Sequence, residues 1–304
     1  MKFELFSYSN STTYKIDESK YLILKKNKET LTSALALEEK FEMLIGNYSD
    51  FEKEILNVTV NQMVTRGDIY PSAFDRKMIS NRRLVNLLTS IKLYIDSAIS
   101  DVKNCVVDSE RKSTSVKVKA FFSFEYDSSF EYRFMESLRN YVQHRGVGVH
   151  FASYGLNTDA LENGESLISH HTNLYAHKEV LSEDPQFKKL ILAEMDEKLE
   201  IVHAVRCYFG AIVRVHEKIR NIVSPIAEES RIYIENTRML YKNLIELKNA
   251  EVRSDIWAAR LGSRGERIDK LSLQLNWDDI RVKLMQRPLP PIRPERHYIT
   301  GKGL

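Results

Sequence analysis

Three side chains that can act on a phosphodiester lie within six residues of one another: Arg139, Asn140 and His144. Histidine titrates near neutral pH, so it can remove a proton from a ribose 2′-hydroxyl or donate one to the leaving 5′-oxygen. Arginine keeps its charge, and its planar guanidinium matches the oxygens of a phosphate that gains charge in the transition state. Asn140 can orient the histidine or bind a phosphate oxygen. Attack by a 2′-hydroxyl needs no metal ion and restricts the substrate to RNA.

Helical spacing decides how these side chains can meet. Positions four apart share a face of a helix, so Glu136, Asn140 and His144 form one stripe, and Arg139 and Gln143 form a neighbouring one. Arg139 and His144 are separated by about 140° around the helix axis. One copy of the helix therefore does not direct both groups at one atom. A second copy across a twofold axis would complete the site, so we expect a homodimer.

The helix that must position these residues has local signals at both ends. Residues 127–129 (Asp-Ser-Ser) predict an N-terminal cap, because short polar side chains accept hydrogen bonds from the free N–H groups of a first turn. Glu131 suits the positive end of the helix dipole, and Gly146 is typical of the position just after a helix. The apolar residues of this stretch share one side: Phe130, Phe134, Leu138 and Tyr141. A helix that ends near His144 is therefore predicted.

The rest of the chain is predicted to be mainly α-helical, with a small N-terminal β element. Apolar residues at spacings of three and four predict long helices over about residues 29–64, 75–106, 184–223 and 226–259. Breaks are expected at Gly46, at residues 66–71 and at Ser224–Pro225. The last two helices should therefore form an antiparallel pair.

Several shorter stretches have weaker patterns. Two apolar runs, residues 3–6 and 21–24, are predicted to be short strands. Residues 116–124 fit either a strand or the entry of a buried helix, and both interpretations stay open. Residues 146–182 are expected to be irregular, and residues 268–285 show a weak helical pattern.

These elements divide the sequence into three consecutive parts. Residues 1–70 hold the strands and a helical segment, residues 71–260 form the helical bundle, and residues 261–304 form a C-terminal extension. The extension ends in a tail whose basic, proline-rich residues 287–294 favour a polyproline II conformation. This tail is either an arm that binds a partner or another subunit, or a simple extension, and the pattern does not distinguish the two.

Composition narrows the class of protein. The chain has 304 residues, of which 43% are apolar and 29% charged, as is typical of a globular protein. A formal net charge of +3 and a pI near 8.6 permit RNA contact without arguing for it. No apolar run approaches the roughly 18 residues needed to span a bilayer. Cys105 and Cys207 show no ligand spacing, so we expect a cytoplasmic protein with buried free thiols and no membrane contact.

Other candidate sites carry weaker signals. His170, His171 and His177 resemble a loose metal cluster, but no acidic residue or cysteine stands at ligand spacing, so neither a metal nor another cofactor is predicted. His203 and His216 fall on or beside an apolar helical stripe and are expected to be packed or interfacial. The sequence also lacks a Walker loop, a dinucleotide fingerprint and the HExxH and GxSxG motifs. The segment from Arg139 to His144 therefore remains the predicted active site.

Residues 130–146 resemble the signature helix of the HEPN superfamily. The family motif R-x4-6-H matches Arg139 and His144, and the polar residue that often follows the arginine matches Asn140. The resemblance implies a small bundle of long antiparallel helices and a metal-independent endoribonuclease whose site is completed across a dimer. In one toxin branch a tyrosine stands two positions after the histidine. Gly146 occupies that position here, so control through that tyrosine is not expected.

Two hypotheses follow. The first is a bacterial, cytoplasmic HEPN-type ribonuclease of stress response or phage defence, which leaves a 2′,3′-cyclic phosphate. His144 is then the general acid or base, and Arg139 stabilises the phosphate. Asn140 orients the histidine or the phosphate. The supporting residues are Glu136, Gln143 and Tyr141. Whether an antitoxin or a larger complex restrains the enzyme is left open. The second hypothesis is a non-catalytic interaction or nucleotide-binding protein that uses the same fold as a dimerisation scaffold, as inactive members of the superfamily do.

Overall fold

The computed structural model describes residues 2–9, 11–65, 70–160, 164–246 and 255–297, with the side chains of residues 70–72 left aside. These residues form eight α-helices and seven β-strands, so the chain is mainly α-helical, as predicted. The helices are α1 (Glu18–Thr65), α2 (Tyr70–Cys105), α3 (Arg111–Ser128), α4 (Phe130–His144), α5 (Lys178–Ser182), α6 (Lys189–Glu194), α7 (Ile201–Glu246) and α8 (Asp279–Gln286). The strands are β1 (Lys2–Ser7), β2 (Thr13–Ile16), β3 (Phe151–Ala160), β4 (Ser166–His177), β5 (Lys198–Glu200), β6 (Ile256–Leu261) and β7 (Arg267–Ser272).

The chain divides into two compact units, each assembled from three separate stretches, whereas the sequence suggested three consecutive parts. The first unit comprises Met1–Glu39, Ser97–Val118 and Lys218–Pro288, apart from the undescribed residues. The second comprises, with the same exception, Lys40–Asp96, Lys119–Glu217 and Leu289–Leu304. Among the helices described, none has the apolar length that a bilayer crossing requires.

The first unit contains a four-stranded antiparallel sheet with the strand order β2–β1–β6–β7. The predicted N-terminal β element therefore pairs with strands from near the other end of the sequence. Phe3, Leu5 and Phe6 of β1 are buried, and Phe6 stacks on Trp257 of β6 with ring centroids 6.5 Å apart. Apolar contact across neighbouring strands stabilises this pairing.

The prediction of a strand at residues 21–24 is wrong, because this stretch lies in α1. Tyr21 and Leu24 are buried while the two residues between them are exposed, a spacing that fits a helix and not the alternation of a strand. The second N-terminal strand is instead Thr13–Ile16. Gly46 does not interrupt α1 either. A glycine inside a helix costs only about 1 kcal/mol relative to alanine, which packing of the flanking turns outweighs.

The predicted break at Ser224–Pro225 is also wrong, because α7 continues through Pro225. A proline inside a helix removes a hydrogen bond and costs about 3 kcal/mol. The buried residues Ile219, Val223 and Ala227 nevertheless keep the spacing of one helical face across the proline, and their burial outweighs that cost. The expected antiparallel pair of helices is therefore a single helix.

Both outer limits of the predicted helical pair also differ from the structure. The stretch predicted to start a helix at residue 184 holds α6 and β5 before α7 begins at Ile201. Asp184 instead accepts a hydrogen bond from the backbone N–H of Gln186 at 3.1 Å, a local turn that competes with helix formation. Residues 256–259 lie in β6, and the weakly helical pattern over residues 268–285 corresponds to the end of β7 and to α8.

The open choice at residues 116–124 resolves as a helix, because this stretch lies in α3. The region expected to be irregular, residues 146–182, instead contains the two longest strands described. β3 and β4 pair antiparallel from Phe151 opposite Tyr175 to Ala160 opposite Ser166, and β5 extends the sheet. No residue of β3 is buried, so the short apolar alternation at positions 152, 154 and 156 does not form a core face.

The described part of the proline-rich tail lies against α7 within the second unit. Arg214 of α7 donates a hydrogen bond to the carbonyl of Ile292 at 2.7 Å. Gly210 permits this approach, because a Cβ at that position would lie 2.7 Å from Cδ of Pro294 and 2.8 Å from the Ile292 carbonyl oxygen. Residues 289–297 are therefore packed on their own chain.

Candidate functional site

All six predicted site residues lie on α4, which begins with the predicted cap. Ser129 Oγ accepts a hydrogen bond from the backbone N–H of Tyr132 at 3.1 Å and donates one to Glu131 Oε2 at 2.8 Å. One face of the helix is packed, and its buried residues are Tyr132, Phe134, Met135, Ser137 and Leu138. The cap satisfies a backbone donor of the first turn, and the apolar face fixes the rotation of the helix about its axis.

The polar residues of the motif lie toward the C-terminal end of the same helix. Asn140, Gln143 and His144 are exposed, while Glu136, Arg139 and Tyr141 are partly buried. His144 is the last helical residue. Within the described residues, neither Asn140 nor His144 has a side-chain hydrogen bond. Both side chains are therefore accessible to a substrate or to another chain.

Arg139 and Gln143 contact each other, as their spacing predicts. Nη1 of Arg139 donates a hydrogen bond to Oε1 of Gln143 at 2.8 Å. Nε of the same guanidinium is buried and lacks a hydrogen-bond partner in the described part of the chain. Gln143 thus holds the guanidinium in one orientation, and the buried N–H is a donor for which the described residues supply no acceptor.

Glu136 makes its contact inside the chain. The hydroxyl of Tyr208, on α7, donates a short hydrogen bond to Oε1 of Glu136. Burial, followed by the charge of Glu136, raises the pKa of Tyr208 well above its ordinary value, so the phenol stays a neutral donor. The ring of Tyr208 also meets Tyr132 edge to face, with centroids 4.8 Å apart. Glu136 thus links α4 to α7, although it shares a helical stripe with Asn140 and His144.

Tyr141 covers the end of the helix. The backbone N–H groups of Arg145 and Gly146 both donate to its carbonyl, at 2.8 and 3.3 Å. A Cβ on Gly146 would lie 2.7 Å from the Tyr141 hydroxyl oxygen, so close approach of the ring explains the glycine. Burial, with the carboxylates of Asp184 and Glu183, raises the pKa of Tyr141. The phenol is therefore protonated at neutral pH and unsuited to act as a base.

His150 lies beside the motif, although no sequence pattern marks it as a site residue. Its ring meets Tyr141 edge to face, with centroids 6.2 Å apart. Its Nδ1 accepts a hydrogen bond from the backbone N–H of His177 at 2.8 Å. Burial lowers the pKa of His150, and the neighbouring His177 and Lys77 lower it further. The hairpin of β3 and β4 creates this contact, which joins positions 27 apart in the sequence.

The three histidines that resembled a loose cluster are all on β4, but they do not gather. His171 lies over Gly155, where a Cβ would be 2.1 Å from the imidazole Nε2. His170 and His171 line a cavity of about 520 Å³ together with Thr59 and other residues. His177 is about 20 Å further along the strand, at roughly 3.3 Å per residue. A site that uses all three histidines is therefore excluded.

The two histidines of α7 have different surroundings. His216 is packed, as predicted: it is buried, its Nδ1 lies 2.9 Å from the Tyr94 hydroxyl, and its ring stacks on Phe41. His203 is exposed, and its metal-binding atoms lie near those of Glu131 and Cys207. Of the described residues, these three form the group of histidine, cysteine and acidic side chains that could hold a metal ion.

This possible metal site is not predictable from the sequence, because one of its three residues is distant from the other two. His203 and Cys207 are one turn apart on a helix, a spacing visible in the sequence. Glu131 precedes them by about 70 positions, and folding alone brings it near. Both cysteines are free thiols, as expected; Cys105 is buried, whereas Cys207 is only partly buried and not buried as predicted. Comparison with protein-family models, curated proteins and solved structures finds no match to this chain.

Proposed function

We propose that the protein is a metal-independent endoribonuclease of the HEPN type that acts as a homodimer. The observation that carries the proposal is the arrangement of the motif on α4. Asn140 and His144 are exposed at the end of a helix whose opposite face is buried. A proton-transfer group and a polar group are thus presented to solvent by a fixed element, which is what catalysis on a large substrate needs.

The proposed reaction is an internal transesterification. The ribose 2′-oxygen attacks the phosphorus, the bond to the 5′-oxygen breaks, and a 2′,3′-cyclic phosphate remains. His144 takes the 2′-hydroxyl proton or donates a proton to the leaving 5′-oxygen. The guanidinium of Arg139, held by Gln143, stabilises the charge that develops on the phosphate oxygens. Asn140 orients the phosphate or the histidine.

The proposed dimer follows from the positions of the two principal groups. Arg139 and His144 are separated by about 140° around one helix, so a phosphate bound by one does not sit squarely before the other. An α4 helix from a second copy would place its Arg139 opposite His144 of the first. The proposed active site therefore pairs Arg139 of one chain with His144 of its partner.

The test is cleavage of mixed RNAs by the purified protein in the presence of EDTA. We expect products with cyclic-phosphate ends and a loss of about 10²- to 10⁴-fold in rate for His144→Ala, the range for a lost acid or base. His170→Ala, a partly buried histidine outside the motif, is the control and should cleave normally. Unchanged cleavage by His144→Ala would contradict the assignment.

A second candidate function is a non-catalytic scaffold in which the motif is a dimer contact or a nucleotide pocket. It is favoured by one observation: within the described residues, no hydrogen bond orients His144. This alternative predicts no RNA cleavage by the wild-type protein. It also predicts that Arg139→Ala loses the dimer in light scattering, whereas the ribonuclease proposal expects loss of cleavage.

A further inference from the structure

Three side chains with metal-binding atoms meet where the start of α4 lies near α7. A carboxylate oxygen of Glu131, an imidazole nitrogen of His203 and the sulfur of Cys207 all lie within 4.8 Å of one another. The sulfur is 3.5 Å from His203 Nε2. Ligands of a tetrahedral zinc ion, at about 2.0–2.3 Å from the metal, are separated by about 3.3–3.8 Å. Small side-chain adjustments would therefore bring all three into coordination distance.

The carboxylate of this group is already held by a neighbour. Ser129 Oγ donates a hydrogen bond to Oε2 of Glu131 at 2.8 Å, while the same hydroxyl caps α4. Ligands of metal sites commonly have such second partners, which fix their orientation and affect affinity. His203 and Cys207 are held in turn by the backbone of one continuous helix. The three donors thus come from two well-defined elements.

We propose that Glu131, His203 and Cys207 bind a zinc ion, with water in the fourth coordination position, as in other zinc sites with three protein ligands. Thiolate, imidazole and carboxylate together are ligands typical of zinc, whereas calcium and magnesium prefer oxygen alone. Binding replaces the proton of the Cys207 thiol, which is released to solvent. The dication then balances the thiolate and one carboxylate.

The ion would connect two stretches of the second unit: the start of α4 and the first turns of α7. An entry route is present, because His203 also lines a cavity of about 370 Å³ with Glu200 and Arg206. The proposed role is to hold the start of α4 in place. It does not depend on the ribonuclease proposal, in which no metal takes part.

The test uses the full-length protein stripped with EDTA, dialysed and titrated with Co²⁺. We expect saturation at about one equivalent per chain, a thiolate-to-cobalt absorption in the near ultraviolet, and displacement of that absorption by Zn²⁺. Cys207→Ala should lose the absorption. Glu131→Gln and His203→Ala should each weaken binding by at least about tenfold.

Cys105→Ala is the matched control, because this buried thiol of the first unit donates to the carbonyl of Asp101 at 3.3 Å. It should bind cobalt like the wild type. Wild-type protein without the thiolate absorption, or equal absorption in Cys207→Ala, would overturn the site. Circular dichroism of the metal-free variants identifies misfolded proteins. If another variant is misfolded, Glu131→Gln provides the test, because its side-chain oxygen can still accept the hydrogen bond from Ser129. RNA cleavage in EDTA is measured separately, so the two proposals fail independently.

Discussion

The two ends of α4 differ in how the protein holds them. At its start, Ser129 caps the helix and Glu131 lies beside His203 and Cys207 of α7. At its end, the side chain of His144 is exposed and without a hydrogen bond in the described part of the chain. The start of α4 is therefore held in place by its contacts, while its polar end is accessible. A site completed by a second chain needs this combination, because fixed groups need little reorganisation and exposed groups can be reached.

The packed face of the helix should carry the largest effect on stability. Phe134 is fully buried between Phe130 and Phe187, with ring centroids 6.1 and 6.3 Å away. Phe134→Ala should lower the free energy of unfolding by about 3–5 kcal/mol, because it leaves a cavity. Urea denaturation measures this change. Asn140→Ala, on the exposed end, should change stability by less than about 0.5 kcal/mol. Similar losses in both variants would remove the distinction between the two ends.

The link between Glu136 and α7 should have an intermediate effect. Tyr208→Phe removes the hydroxyl that donates to Glu136 and leaves a partly buried carboxylate without that donor. The expected loss is about 1–3 kcal/mol of unfolding free energy, measured by thermal or urea denaturation. Tyr126→Phe is the control, because its hydroxyl accepts only an exposed hydrogen bond from Lys188 at 2.9 Å. A loss in the control as large as in Tyr208→Phe would show that the Glu136 contact has no special weight.

The cap at the start of α4 should have a smaller effect. Ser129→Ala removes both the acceptor for the Tyr132 N–H and the donor to Glu131. We expect a loss of about 1 kcal/mol in the free energy of unfolding. Ser129→Thr should restore most of it, because threonine also caps helices. If threonine and alanine are equally destabilising, the hydroxyl is not what fixes this end.

The smallest expected effect is the loss of stability at acidic pH that follows from protonation of His150. Its pKa is lowered in the folded protein, first by burial and then by His177 and Lys77. The unfolded chain therefore takes up a proton more readily, and stability should fall as the pH drops below about 6.5. Protonation would also break the hydrogen bond from the His177 N–H. His150→Asn keeps an acceptor without this titration, so its melting temperature should fall less between pH 7 and 5. If the melting temperatures of His150→Asn and the wild type fell equally with pH, His150 would not be the group responsible.

Local patterns in the sequence predicted α4 well, because its cap and apolar face depend on neighbouring residues. They failed where distant contacts decide the structure. α7 continues through Pro225 because burial on both sides outweighs a local cost. β3 buries no residue, so no core face marks it as a strand. The contact of Glu136 with Tyr208 joins positions about 70 residues apart, which one sequence cannot reveal.

The most direct test of the central claim is complementation between two inactive variants. Arg139→Ala and His144→Ala homodimers should each fail to cleave RNA. After the two are unfolded and refolded together, mixed dimers contain one site with Arg139 from one chain and His144 from the other. We expect up to about a quarter of the wild-type activity, because half of the dimers are mixed and one of their two sites is intact. Mixed dimers that form but do not cleave RNA, while the wild type does, would contradict a site shared between two chains.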